Sequence, residues 1–178
     1  VIFMLIFYRL PGVAASIALV FYLGLMLVAL NGLNITLTLP GVAGIILNIG
    51  MAVDANVIIF TRIKEELAKG KSVQTSIKLG FEKALSAIID GNVTTLIAAF
   101  VLYIKGSGTI RGFATTLALG IILSMFTALY VTKYILKAMY SLGVDDVKYF
   151  GVEKPRRQIK FVQNRVKFFV ISGVLILA

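Results

Sequence analysis

Two aspartates stand inside stretches of sequence that are otherwise apolar. Asp54 lies within GVAGIILNIGMAVDANVIIF (41–60), and thirty-six residues later Asp90-Gly91-Asn92-Val93 repeats the pattern of Asp54-Ala55-Asn56-Val57. A carboxylate inside an apolar helix that crosses a bilayer costs a few kcal/mol on insertion scales, so such a residue marks a functional site by default. The chain has no histidine and no cysteine, which removes the usual neutral-pH titrating group and the thiolate metal ligands. Carboxylates are left as the groups that can carry proton chemistry. Desolvation favours the neutral form of a carboxylate, which suits a site that loads and releases a proton. The same oxygens suit Na⁺, and the residues do not decide between the two ions. No metal or cofactor is expected besides that coupling ion. No nucleophile–base set, phosphate-binding glycine loop or H-E-x-x-H motif is present, so nothing points to an enzyme.

The elements that must position these acids follow from composition. The chain is 59% hydrophobic and 15% charged, with a mean hydropathy of +0.97. A water-soluble domain of 178 residues cannot hide that much apolar surface. The apolar runs are continuous over about 20 residues, which fits transmembrane helices and not the ten-residue alternation of a β-barrel. The expected fold is all-α, a polytopic transmembrane helical bundle. Six apolar segments are legible. The first, 1–8, is too short to span and ends at the turn signal Arg9-Leu10-Pro11-Gly12. The others cover roughly 14–33, 40–62, 84–104, 112–139 and from 166 onward. Both termini fall in apolar runs, so the sequence reads as part of a longer polypeptide.

Of the 18 lysines and arginines, all but Lys105 and Arg111 fall on one side of this succession of spans. That basic side is expected to be cytoplasmic, and the net charge of +10 is assigned to it and not to nucleic-acid binding. The stretch 62–83 is expected to continue the third span, turn at Gly70 and form a short interfacial helix. Its Val73, Ile77 and Phe81 would face the headgroups, unless the stretch is only a solvated loop. At 1.5 Å per residue, Asp54 lies about 12 Å above Arg62, and Asp90 about 9 Å above Ala84. The two acids therefore share the inner half of the bilayer. Asp54 is expected to be buried, with no lysine or arginine of this chain at its depth. Asn56 and Asn92 lie about 200° round their helices from the acids and face other neighbours. Asn48, Met51 or Ala52, Ala55 and Ile59 form close-packing stripes. Thr94 and Thr95 on the fourth span, and Thr115, Thr116, Gly120, Ser124 and Thr127 on the fifth, add hydroxyls and small residues. These serve either as a polar pathway or as plain helix–helix glue.

The motifs FYRLPG (7–12), LTLPGVAGIILNIGMAVDANVIIFTRIKEEL (37–67), GFEKALSAIIDGNVTTLIAA (80–99) and GSGTIRGFATTLALGIILSMFTALYVTK (106–133) closely resemble the membrane half of the SecD family. That family is the export-assisting branch of the resistance-nodulation-division superfamily. KFVQNRVKFFVISGVLILA (160–178) resembles the opening of SecF. The resemblance implies half of a superfamily-type membrane domain, with SecD helices over 1–140, a cytoplasmic basic linker over 141–165 and the start of a SecF helix over 166–178. It implies assistance to preprotein translocation through the SecYEG translocon, driven by a proton or sodium gradient, in a bacterial or archaeal cytoplasmic membrane. The implied partners are a SecF half or subunit, SecYEG, the preprotein and membrane lipids, with no nucleic acid. It assigns ion coupling to Asp54, and the DxNVTT motif to Asp90, Asn92, Thr94 and Thr95, with Asn56 accompanying Asp54. It places the RGFA motif, Arg111, Gly112, Phe113 and Ala114, at the outer end of the last span. Thr61 and Gly91 depart from the family pattern, which often has an acid and an alanine there. The alternatives are a small-molecule or lipid exporter of the same superfamily, and a scaffold without transport activity.

Overall fold

The computed structural model describes residues 2–141 and Phe150, and the residues described are helical almost throughout. The expected linker over 141–165 and helix from 166 onward lie outside them, apart from Ser141 and Phe150. A short helix α1 (Ile2–Tyr8) leads into α2 (Leu10–Gly32) through Arg9, whose φ of 49° turns the chain. Pro11 is tolerated in the first turn of α2, where its missing N–H has no intrahelical partner to lose. Helix α3 (Leu39–Ala68) starts in the same way: Thr38 caps it by accepting from the Gly41 N–H at 3.2 Å, and Pro40 lies in its first turn. It stops at Gly70, whose φ of 81° is the left-handed conformation that glycine adopts at little cost. Ser72 caps the next helix by accepting from the Thr75 N–H at 3.3 Å.

That helix, α4, runs unbroken over Val73–Lys105. The separate interfacial helix expected after Gly70 is therefore its first three turns. Val73, Ile77 and Phe81 do not lie on headgroups. They are buried in one cluster with Ile63 and Leu67 of α3 and with Leu136. The 20-residue rule marks where a helix crosses the hydrocarbon, not where it stops. A 33-residue helix of about 50 Å projects beyond the hydrocarbon and finds a protein partner there. Close approach makes this possible. A Cβ on Gly80 would overlap Ile63, backbone included.

After a turn at residues 106–107, α5 (Gly108–Phe126), a π-helical turn (Thr127–Val131) and α6 (Thr132–Ser141) form one continuous rod. α2, α3, α4 and this rod are each long and apolar enough to cross a membrane, and the chain is a multi-pass membrane protein. α3 and α4 form an antiparallel hairpin. α5 packs beside both and runs parallel to α3, with Asn48 against Thr116 and Asn56 against Thr132. α2 lies across α5, the π turn and α6. The expected stripe holds, with Asn48, Ala52, Ala55 and Ile59 all buried.

Candidate functional site

Asp54 sits on α3 one residue ahead of the buried Ala55, about 100° round the helix from it. That offset turns its carboxyl away from α5 and toward α4. It lines a cleft of about 180 Å³ between the two helices, with Met51, Ile58, Ala87, Gly91 and Asn92. Burial at this position was the expectation, and here the structure corrects it: Asp54 is exposed, on the open rim of the cleft. The sequence located the acid along α3, whereas its face was set by which flank α5 covers. No ion pair to Asp54 forms among the described residues.

The six residues grouped by the sequence separate into three environments. Asp54 and Asn92 share the cleft, and the Asn92 amide donates to the Ile88 carbonyl at 2.7 Å. Gly91 leaves room there, since a Cβ on it would meet nothing within 4 Å. Asp90 is exposed outside the cleft and accepts from the Ser86 hydroxyl at 3.3 Å. The Thr94 and Thr95 hydroxyls donate back to the carbonyls of Asp90 and Gly91 at 2.8 and 3.0 Å. Each therefore spends its proton on its own helix. Asn56 faces the opposite way from Asp54, as their spacing requires. It is buried, its amide donates to the Ala52 carbonyl at 3.1 Å, and its Oδ1 accepts from the Thr132 hydroxyl at 2.9 Å. Asn56 thus ties α3 to the junction of the π turn with α6. Thr132 also donates to the Thr127 carbonyl at 3.3 Å, inside that turn.

At the far end, Arg111, Gly112 and Phe113 stitch helix ends together. The Arg111 Nε donates to the Tyr103 carbonyl at 3.2 Å, and its guanidinium lies 5.2 Å from the centre of the Tyr103 ring. Gly112 brings α5 against Thr38, the cap of α3, and Phe113 packs against Gly44. Further along the same interface, the Asn48 amide donates to the carbonyls of Thr116 and Leu117 at 3.2 and 3.3 Å. Gly120 lies directly over that amide.

Sequence reasoning missed a second acidic centre. Glu66 is fully buried and is met by three ammonium groups: Lys69 at 2.7 Å, Lys71 at 2.5 Å and Lys83 at 2.6 Å. Hydrogen bonds from Lys69, Lys71 and Lys83 hold its carboxyl far below the usual carboxylate range, and Glu66 in turn raises Lys69. A signal was available. The stripe of Asn48, Ala52, Ala55 and Ile59 continues at helical spacing through Ile63 to Glu66, so the acid falls on the inner face. This cluster fastens the α3–α4 turn at the basic end.

The family described as "Protein export membrane protein SecD/SecF, C-terminal" matches residues 1–142. The protein translocase subunit SecD of Acidaminococcus fermentans is 59% identical over 138 residues, which cover 78% of this chain and 33% of that protein. The SecD subunit of Dictyoglomus turgidum is 56% identical over 144 residues, 81% of this chain and 36% of the relative. The crystal structure of SecDF, a translocon-associated membrane protein from Thermus thermophilus, superposes with a TM-score of 0.81 at 35% identity, covering 99% of this chain and 24% of that one. The chain thus spans about a third of the length of the SecD relatives it matches.

Proposed function

The chain belongs to the SecD/SecF family of protein-export membrane proteins, and on that premise we propose that it is the ion-coupling membrane part of a preprotein-export machine. In this reading a proton or Na⁺ enters the α3–α4 cleft, neutralises Asp54 and is released on the other side of the membrane. One elementary charge falling through 100 mV supplies about 2.3 kcal/mol, enough to bias a rearrangement of packed helices. The work is passed to a preprotein crossing the SecYEG translocon, and the chain pairs with a SecF half or subunit. It lies in a bacterial or archaeal cytoplasmic membrane with its basic end inward. Its role is transport and not catalysis.

The observation that carries the reading is Asp54 itself. It is a carboxylate at mid-helix, open to a cleft lined by a second helix, with a polar amide beside it and no cation paired to it among the described residues. Asn56 has a distinct part in the same reading. It connects the Asp54 helix to the π turn, an element often found where helices deform for function. The relatives carry the name of translocase subunits, which favours preprotein export over small-molecule or lipid export. The test is export of a radiolabelled preprotein into inverted membrane vesicles containing the full-length protein, with an imposed gradient of H⁺ or of Na⁺. Asp54→Asn is expected to abolish the gradient-dependent part of export while the protein still co-purifies with its partners. Full export by that variant would refute the coupling role, and full export by the Asp54→Asn, Asp90→Asn pair would establish the scaffold reading.

A further inference from the structure

The basic end of the molecule holds a second concavity, separate from the Asp54 cleft and from the Glu66 cluster. It lies between the first turns of α4 and the length of α6, has a volume of about 740 Å³, and is lined by Lys78, Lys133 and Lys137 together with Gln74, Thr75 and Tyr140. Glu82 also lines it, which leaves two positive charges in excess among the described lining residues. The Lys133 ammonium lies 5.8 Å from the centre of the Phe81 ring, on the wall of the adjoining groove. That groove, of about 290 Å³, continues from the basic cavity along Phe81, Leu85, Leu129, Tyr130 and Tyr134, sharing Glu82, Lys133 and Lys137 with it.

The depth of this pair of cavities identifies the surface. Counting about 20 residues of hydrocarbon span from Gly112 brings the rod formed by α5, the π turn and α6 to the interface just before Lys133. The same count back from Lys105 brings α4 there near Leu85. The lysines thus lie at headgroup level, and the apolar groove extends from them toward the acyl region. Basic pockets between helices at this depth suit acidic headgroups. Residues 154–167 carry only basic charges and are a poor occupant, whereas Asp145, Asp146 and Glu153 lie between α6 and that stretch; a wild type that retains no phosphatidylglycerol in preference would assign the cavity to those carboxylates and overturn the lipid site.

The geometry points to a binding site for one anionic phospholipid, its phosphodiester held by Lys78, Lys133 and Lys137 and one acyl chain laid along Leu85, Leu129 and Tyr130. The site would fasten α6 to α4 below the π turn. The occupant is a lipid and not a free phosphate, because the basic cavity opens onto an apolar groove that a free anion would leave uncovered.

The test uses the full-length protein, purified in detergent with equal parts of phosphatidylglycerol and phosphatidylcholine, and reads retained lipid by native mass spectrometry. The wild type is expected to keep phosphatidylglycerol in preference. Each lysine changed to glutamine should lower its affinity about fivefold, the equivalent of about 1 kcal/mol per basic residue near a membrane surface. Lys105→Gln, at the opposite end, removes the same charge and should change nothing. Unaltered phosphatidylglycerol retention in the Lys78→Gln, Lys133→Gln, Lys137→Gln variant would overturn the site. So would displacement of the lipid from the wild type by millimolar inorganic phosphate alone, which would identify a free-anion site. If the triple variant elutes aggregated, Lys137→Gln alone, an exposed position on α6, carries the test, and an unchanged affinity there refutes the assignment.

Discussion

Gly120→Ala should destabilise the protein in one background and stabilise it in another. A Cβ at position 120 would overlap the Asn48 side chain from Cβ to the amide nitrogen. That amide is also what joins α3 to α5, through the Thr116 and Leu117 carbonyls. Overpacking of a tight interface costs about 2 kcal/mol. Displacing the amide removes two interhelical hydrogen bonds, worth about 0.6 kcal/mol each in membrane double-mutant cycles. Against this, Ala is favoured over Gly in a helix by about 1 kcal/mol. The net expectation is a loss of about 2 kcal/mol. In an Asn48→Ala background the obstruction and both bonds are already gone, as is the Asn48 Oδ1, which is buried without a hydrogen-bond partner. There Gly120→Ala should stabilise by up to about 1 kcal/mol. The swing of about 3 kcal/mol between backgrounds lies far outside the 0.5 kcal/mol or so within which independent sites add. The assay is reversible unfolding of the full-length protein in mixed micelles, followed by loss of helicity across a complete double-mutant cycle. A Gly120→Ala cost of the same sign and size in both backgrounds would show that Asn48 and Gly120 do not set the α3–α5 spacing.

At the other end of the same interface, Thr132→Val and Asn56→Leu should couple by about 0.6 kcal/mol and by no more than about 1.7, and an additive cycle would show that the 2.9 Å bond contributes nothing to joining α3 to α6. The Glu66 cluster predicts a flat pH response. Because its folded-state value lies below the usual 4.5, its contribution is complete above that pH and is lost as pH falls through the lower folded value. Lys69, raised above its usual 10.5, contributes fully below that pH and loses its part as pH rises through the higher value. The difference in unfolding midpoint between wild type and Glu66→Gln should therefore hold between about pH 4.5 and 10.5 and shrink outside that range; a difference that changes within it would contradict the assignment. Arg111→Ala should cost about 0.5–1 kcal/mol, the scale of an exposed cation–π contact, measured by the same micelle unfolding, and no change would mean that the Tyr103 contact is incidental.

Periodicity along each helix was legible from the residues. The stripe from Asn48 to Ile59, the turn at Gly70 and the opposite facing of Asp54 and Asn56 all follow from 3.6 residues per turn and from the conformational range of glycine. Extent was less legible, because hydropathy reports where a helix lies in hydrocarbon and is silent once Val73, Ile77 and Phe81 find apolar partners outside it. The π turn carries no signature in Thr127–Val131 that an α-helix would not tolerate; it directly precedes Thr132, which reaches Asn56. Azimuth was the least legible quantity. Depth grouped Asp54 with Asp90, and the family motifs added Asn56, Asn92, Thr94 and Thr95, yet only Asp54 and Asn92 meet in one cleft. Depth follows from counting residues, whereas facing depends on which neighbour covers which flank.

That distinction bears on the role proposed for Asp54. Hydrocarbon on its open flank would exact the insertion cost of a bare charge, and the asparagine amide beside it is already engaged with Ile88. The flank must therefore meet water, or polar groups from beyond the described residues, whenever the carboxyl is ionised. Protonation removes that requirement and lets the same flank face apolar surface. The two charge states thus demand different surroundings for one helix face, and in the proposed coupling the gradient would select between them by supplying or withdrawing a single cation. Asn56 and Thr132 sit on the far side of α3 from this exchange, where a rotation of α3 that re-faces Asp54 must strain or break their bond and so load the π turn. A carboxylate on an exposed rim is for this reason better placed to move helices than one sealed in the core, where no surroundings remain to be exchanged.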